Sequence, residues 1–354
     1  MKVVIACGGT GGHLFPGIAV AEELQARGHE PVLIISEKAV DAEASAKYKN
    51  LRFEVVPAIA KPPTLSLKMV SFLFALKKNI GLCKEILKKE KADVVLGMGG
   101  FTSFSPVYAG NKLGLRTYVH DSNAVPGKSN VMTSKYCSKV LLGLEAAKSH
   151  FSKCETEVVG TPVRGELRNL PSREAAAEKW GLDPEQPTLL VFGGSQGARG
   201  LNTLVVEAAK ELSCQILHVT GQADYERVNG LVADNSGYHV MAFCDDMPAA
   251  YAVADGAICR SGASSLTELA YLGIPSVLIP YPYAADDHQT ANAKVFSDVG
   301  ASLMAQEKDL TGGELVGLAK QLLPLSSERE ALAVAMKAQG AGDAAAQIAE
   351  VVTG

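Results

Sequence analysis

Four times in this chain a short apolar run feeds a loop of glycine and other small residues, and the loop opens into a helix. The runs are residues 3–7, 94–97, 188–192 and 256–259. The loops contain Gly8-Gly9-Thr10-Gly11-Gly12-His13, Gly97-Met98-Gly99-Gly100, Gly193-Gly194-Ser195-Gln196-Gly197 and Arg260-Ser261-Gly262-Ala263. Short apolar runs suit strands buried on both faces, and parallel strands need a crossover, usually a helix. Strand, small-residue turn and helix in this order predict parallel, doubly wound sheets of the α/β class. Such sheets bind ligands outside the carboxyl ends of their strands, where these loops belong.

The rest of the chain keeps the alternation. In the first half strands are expected at 31–36, 53–57, 117–120, 139–142 and 157–159, with helices at about 17–27, 66–89 and 104–113. In the second, strands are expected at 215–219, 239–243, 276–279 and 301–304, and helices at 172–180, 201–212, 264–272, 312–323, 326–339 and 343–352. Ser264 or Ser265 is available to cap the helix at 264–272, and Gly273 to stop it. A chain of 354 residues is long for one core. The segment Gly160-Thr161-Pro162-Val163-Arg164 suits a hinge, so two Rossmann-like domains facing across a cleft are expected, at 1–162 and 163–342.

Composition narrows the class. Hydrophobic residues make up 47% and charged residues 20%, as in an ordinary globular protein. The formal charge of −4 argues against a bulk nucleic-acid partner. Seven scattered cysteines without a C-x-x-C pair read as reduced core thiols, with no metal expected. The first residues run straight into a strand, so no signal peptide is expected. No apolar run reaches the roughly 18–20 residues of a membrane span.

Candidate chemistry concentrates where the small-residue loops open into helices. A helix N-terminus fed by such a loop presents free backbone amides to an anion. Glu268 lies one turn inside the helix that begins near Ala263, within reach of hydroxyls attached to a bound phosphate. A diphosphate carrying a ribose satisfies both features. The following polar loop, with Asp286, Asp287, His288 and Gln289, adds hydrogen-bonding groups at another strand end. The first glycine loop fails the dinucleotide pattern G-x-G-x-x-G, because Leu14 stands at its sixth position when the count starts at Gly9. What remains is a turn that a ligand can approach closely, with the imidazole of His13 at its end. Gly99 and Gly100 and the turn His120-Asp121-Ser122-Asn123 belong to the same sheet edge.

Residues 61–91 differ from their surroundings, with eight lysines against Glu85 and Glu90. The run 69–76 is apolar apart from Ser71, more than one face of a surface helix needs to bury. Two readings stand: a core helix with a solvated basic face, or a patch resting on an anionic membrane through Met69, Phe72, Phe74, Lys77 and Lys78.

The series GGTGGHLFPGIAVAEEL, GMGGFTSFSP, HDSNAVPGKSN, GTPVR, FGGSQGARGLN, FCDDMPAAYAVAD and CRSGASSLTELAYLGIP resembles the MurG family. These are glycosyltransferases of GT-B architecture that move N-acetylglucosamine from UDP-GlcNAc to undecaprenyl-pyrophosphoryl-muramoyl-pentapeptide, on the cytoplasmic face of the membrane. The likeness implies that Arg164, Ser195, Ala263, Ser264, Ser265, Leu266, Thr267, Glu268 and Gln289 bind the UDP-sugar, with Glu268 on the ribose. It implies donor contacts from Thr10, Gly11, Gly12 and Asn123 of the other domain, and a uracil read by the Cys244 backbone. It also implies that the last helix, 343–354, crosses back to the first domain. UDP-GlcNAc is then a substrate, the undecaprenyl-linked lipid the acceptor, and no cofactor is expected.

Glycosyl transfer of this kind needs an acceptor hydroxyl aimed at the anomeric carbon and a stabilised diphosphate leaving group. Helix N-termini and Arg164 can supply the second. Asp245-Asp246 precedes a proline-containing helix start and reads as a cap rather than a metal motif. Gly99, Gly100 and Asp121 are candidates to receive the acceptor and its pyrophosphate. His13 and Asp121 are the candidate bases, and an imidazole's ordinary pKa of about 6.5 favours His13. A UDP-sugar epimerase of the same fold and a non-catalytic nucleotide-sugar sensor are the alternatives; the basic segment counts against the first and His13 against the second.

Overall fold

The computed structural model describes residues 1–59, 62, 68–194, 198–323 and 327–354. The chain divides into two compact units, Met1–Arg164 with Ala341–Gly354, and Gly165–Gly340. Each is built on one parallel sheet.

In the first unit the elements run β1 (Lys2–Ala6), α1 (Gly11–Ala26), β2 (Glu30–Ser36), α2 (Ala39–Lys47), β3 (Arg52–Val56), α3 (Lys68–Glu90), β4 (Val94–Gly97), α4 (Phe104–Lys112), β5 (Arg116–Asp121), α5 (Lys128–Thr133), β6 (Lys139–Leu142) and β7 (Thr156–Val158). The strand order is β3-β2-β1-β4-β5-β6-β7, every neighbouring pair parallel. The direction of winding reverses between β1 and β4. The two glycine loops of this unit follow those two strands, so the reversal brings them side by side.

The second unit contains α6 (Arg173–Trp180), β8 (Thr188–Phe192), α7 (Arg199–Ala208), β9 (Gln215–Val219), α8 (Tyr225–Leu231), β10 (Tyr238–Met241), α9 (Met247–Val253), β11 (Gly256–Cys259), α10 (Ala263–Leu272), β12 (Ser276–Leu278), α11 (His288–Ser297), β13 (Leu303–Met304), α12 (Gly312–Lys320) and α13 (Ser327–Ala338). Its sheet has the order β10-β9-β8-β11-β12-β13. The reversal falls between β8 and β11, again the strands that precede small-residue loops. The final helix, α14 (Ala344–Thr353), returns to the first unit, where Ile348 and Val352 join a core with Leu14 and Ile18 of α1.

Both faces of the first sheet are covered, as the apolar runs require. Along β1, Val3 and Ile5 face α1 and α14, while Val4 and Ala6 face Ile86 and Leu87 of α3 and Val107 of α4. Every core side chain on this strand is fully buried or within 1% of it. The second sheet packs Leu189 and Val191 of β8 against Leu201 and Val205 of α7 and Leu315 of α12.

Several boundaries differ from the sequence expectation, each for a local reason. Helix α1 begins at Gly11 rather than near 17, because Pro16 sits inside it and forfeits one bond without ending it. The Thr10 carbonyl starts the helix by accepting from the amides of His13 and Leu14, at 3.1 and 3.0 Å. Helix α10 starts at Ala263 with Gly262 as its cap residue and no side-chain cap, so neither Ser264 nor Ser265 caps it. Gly273 does stop it, in the left-handed conformation with φ of 74°. Asp246 caps α9 by accepting from the Ala249 amide at 3.1 Å, the role read from the sequence. Helix α2 had no sequence counterpart, because it is short and its scattered alanines form no periodic apolar stripe.

Candidate active site

In the first unit the loop after β1 is held from three directions. The Gly9 amide donates to both carboxylate oxygens of Asp41, at 3.2 and 2.9 Å. Lys38 Nζ donates to the Gly9 carbonyl at 2.9 Å, and Thr102 Oγ1 to the Gly8 carbonyl at 2.7 Å. Gly9 has φ of +111°, where side-chain-bearing residues are strained. The loop delivers Thr10 and Gly12 to solvent, with Gly11 and His13 half-buried in the first turn of α1. Thr10 Oγ1 lies 3.2 Å from His13 Nδ1.

The His13 ring rests on the second glycine loop. A Cβ built on Gly99 would stand 3.0 Å from His13 Cδ2, and one on Gly100 2.9 Å from Cε1. Burial lowers the His13 pKa to about 4, with Asp41 opposing the shift and Lys38 adding to it. The ring is therefore neutral at neutral pH, as a general base must be, and a weaker base than a free imidazole.

Asp121, expected to face an acceptor, is committed elsewhere. It is 1% exposed and accepts from the Asn123 amide at 2.9 Å, the Gly127 amide at 3.2 Å and Asn130 Nδ2 at 2.7 Å. Burial raises its pKa and these bonds oppose the rise. Its work is to shape the turn that carries half-buried Asn123, so His13 is the better placed of the two candidate bases. His120, fully buried, reaches the Gly160 carbonyl with Nε2 at 2.8 Å. Arg164, where the first segment of this unit ends, holds its guanidinium 4.8 Å from the centre of the Phe15 ring.

In the second unit the α10 N-terminus follows β11 directly, and the amides of Ala263, Ser264 and Ser265 precede the first intrahelical bond, from Leu266 to the Gly262 carbonyl at 3.1 Å. Leu266 is buried, and Thr267 returns its hydroxyl to the Ala263 carbonyl at 2.9 Å. Glu268 is 6% exposed, and its Oε2 accepts from Tyr251 Oη at 2.8 Å. It is thus a positioned carboxylate rather than a solvated helix residue. Gln289, in the first turn of α11, accepts the Tyr281 amide at 3.0 Å through Oε1. Cys244 is buried three residues beyond β10, and burial pushes its thiol up to about 11. Ser195 lies outside the described residues.

Sequence reasoning missed the groups that stitch these loops together. Arg260 is 5% exposed; its Nη1 donates to the carbonyls of Ile279 and Pro280 at 3.1 and 3.0 Å, and its Nη2 pairs with Glu307. Ser261 Oγ donates to the Gln289 carbonyl at 2.8 Å, and Asn292 Nδ2 to the Ser261 carbonyl at 3.1 Å. One signal was available for Arg260: a lone charge directly after an apolar strand is rarely left inside unless paired.

The basic helix α3 resolves by phase. Phe72 is 8% exposed and meets the Phe101 ring at 5.6 Å, so it belongs to the inner face and is withdrawn as a membrane contact. Phe74 is 72% exposed, with Val70 at 63% and Leu73 at 55%. Val70, Leu73, Phe74 and Lys77 fall at i, i+3, i+4 and i+7 on one outer face, with Lys78 beside them and Met69 half-buried. Among the described residues, no helix is long and apolar enough to cross a membrane.

Two parallel Rossmann-like units, with a helix N-terminus and a buried carboxylate at the switch point of the second, have the architecture of the GT-B class. Residues 3–142 match the glycosyltransferase family 28 N-terminal domain, and residues 188–352 match the family 28 C-terminal domain. A Myxococcus xanthus protein is 37% identical over 360 residues, covering 99% of this chain and 92% of that one. A Geotalea daltonii protein is also 37% identical, covering 100% and 98%. Both bear the name UDP-N-acetylglucosamine--N-acetylmuramyl-(pentapeptide) pyrophosphoryl-undecaprenol N-acetylglucosamine transferase. The crystal structure of Acinetobacter baumannii MurG superposes with a TM-score of 0.76 at 29% identity, covering 99% of each chain. This chain belongs to the MurG family of UDP-GlcNAc-dependent N-acetylglucosaminyltransferases.

Proposed function

We propose that this protein transfers N-acetylglucosamine from UDP-GlcNAc to the muramoyl-pentapeptide of undecaprenyl-pyrophosphate lipid I, forming the peptidoglycan precursor lipid II. The observation that carries the reading is full-length kinship with proteins of that name, together with a buried, positioned Glu268 behind the open N-terminus of α10. The second unit is the donor unit. Amides at Ala263, Ser264 and Ser265 receive the diphosphate, and Glu268 binds the ribose hydroxyls. The Cys244 backbone reads the uracil, and the Phe243 ring beside it, 70% exposed, offers an apolar face that a planar base would cover.

The first unit serves the acceptor. His13 takes the proton of the attacking hydroxyl as the bond to the anomeric carbon forms, and UDP departs from the opposite face. One displacement inverts the configuration at that carbon. The backbone at Gly99 and Gly100, against which the imidazole rests, receives the acceptor's pyrophosphate. The stripe Val70–Leu73–Phe74, with Lys77 and Lys78, rests on an anionic membrane surface on its cytoplasmic face, where a lipid acceptor is met.

Transfer of labelled N-acetylglucosamine onto purified lipid I in detergent tests the reading. Labelled lipid II and UDP are expected in equal amounts. Conversion of UDP-GlcNAc to another UDP-sugar without lipid would instead establish an epimerase, and binding without turnover a sensor.

A further inference from the structure

We propose that Asp41 is a positioning residue of the transferase, holding the first glycine turn so that His13 reaches its working place; this rests on the function proposed above. Asp41 is the third residue of α2, fully buried, and its carboxylate gathers the Gly9 amide, the Ser36 amide at 2.8 Å and the Ser36 hydroxyl. An ionised carboxylate is costly to bury, and an apolar side chain would fill core space more cheaply. What this one holds is not core. Ser36 ends β2, while Gly9 leads into α1, so the carboxylate joins one strand end to the turn after its neighbouring strand.

Helix α1 cannot set the position of its own first turn. Its cap residue, Thr10, makes no side-chain cap bond and turns its hydroxyl to the His13 ring instead. The turn is fixed from outside: the Gly9 amide by Asp41, the Gly9 carbonyl by Lys38 and the Gly8 carbonyl by Thr102. The glycine before Gly9 is packed closely against the same end of β2. A Cβ on Gly8 would stand 2.9 Å from Asp41 Oδ2 and 2.5 Å from the Ser36 amide nitrogen. His13 follows four residues after Gly9 and lies against Gly99 and Gly100, so a shift of the turn moves the imidazole directly.

The test is Asp41→Asn, with Thr102→Val as a near-isosteric variant that removes a different clamp on the same turn. The asparagine amide would set a donor against the Gly9 N–H or withdraw an acceptor from Ser36. In Asp41→Asn, kcat should fall about tenfold to a hundredfold, and in Thr102→Val about threefold to tenfold. The KM for UDP-GlcNAc should change less than kcat, since the α10 groups from Ala263 to Glu268 lie in the other unit and only the implied donor contacts at Thr10, Gly11 and Gly12 ride on this turn. Hydrogen exchange over residues 6–14 should rise in both variants while the β8–β11 strands stay unchanged. A purely structural Asp41 would lower melting temperature and leave kcat per folded molecule intact, which overturns the proposal. Should Asp41→Asn not fold, wild-type kcat in Thr102→Val overturns it. Failure of the parent reading looks different: the wild type itself transfers nothing, while the exchange measurement still decides whether Asp41 and Thr102 hold the turn.

Discussion

The imidazole of His13 lies against the backbone of Gly100, so closely that a Cβ on that glycine would stand 2.9 Å from His13 Cε1. Gly100 also has φ of +72°. Gly100→Ala should therefore displace the ring as well as strain the loop, costing about 1–3 kcal/mol of backbone strain. Turnover is expected to fall with little change in UDP affinity. Equal kcat in the variant would show that His13 does not need this placement.

His13→Ala should cut kcat by about 10²–10⁴ and leave UDP binding intact. Because burial lowers the His13 pKa to about 4, the acidic limb of the wild-type kcat/KM profile should lie near that value rather than near 6.5. The variant should lose the limb. A limb that persists in His13→Ala assigns the base to another group.

Glu268 supplies a charged acceptor to the proposed ribose site, and such hydrogen bonds contribute about 1.5–3 kcal/mol. Glu268→Ala should weaken UDP binding about tenfold or more by titration calorimetry. Tyr251→Phe removes the phenol that orients the carboxylate and should weaken it less. An unchanged dissociation constant in Glu268→Ala would remove the residue from the donor site.

Two other histidines make stability fall on the acid side. His120 and His218 are fully buried, and burial lowers their pKa values from 6.5 to about 4 and about 3. Above 6.5 both states are neutral and nothing changes. Below it the unfolded chain binds protons that the folded one refuses, so stability falls steadily until the folded pKa is reached. Between pH 6.5 and pH 5 each should remove about 2 kcal/mol, read from urea melts. His218→Asn should flatten part of that slope.

The outer face of α3 should bind vesicles containing anionic lipid. Leu73→Ser with Phe74→Ser, or Lys77→Glu with Lys78→Glu, should reduce co-sedimentation, and salt should weaken the wild type's binding. Phe72→Ser should instead lower melting temperature, since that ring packs on Phe101. Equal pelleting of all variants would leave α3 a solvated basic helix.

The sequence by itself determined the α/β class, the alternation of elements and the strands at 139–142, 188–192, 215–219 and 256–259, because buried parallel strands are apolar runs bounded by turn residues. It also carried the family likeness and the stop of α10 at Gly273, which are properties of local residues. The tertiary structure alone decided the rest. Whether Phe72 or Phe74 faces outward depends on how α3 is rotated against its sheet, and a run apolar on most sides carries no phase. That Asp121 is spent on its own turn, and that Asp41, Arg260 and Glu307 hold loops from distant parts of the chain, follows from strand order. The order β3-β2-β1-β4 places Asp41 beside Gly9 and Thr102 beside Gly8. Residues that meet only when strands are laid side by side leave no periodic trace along the chain, since their partners lie 32 and 94 positions away.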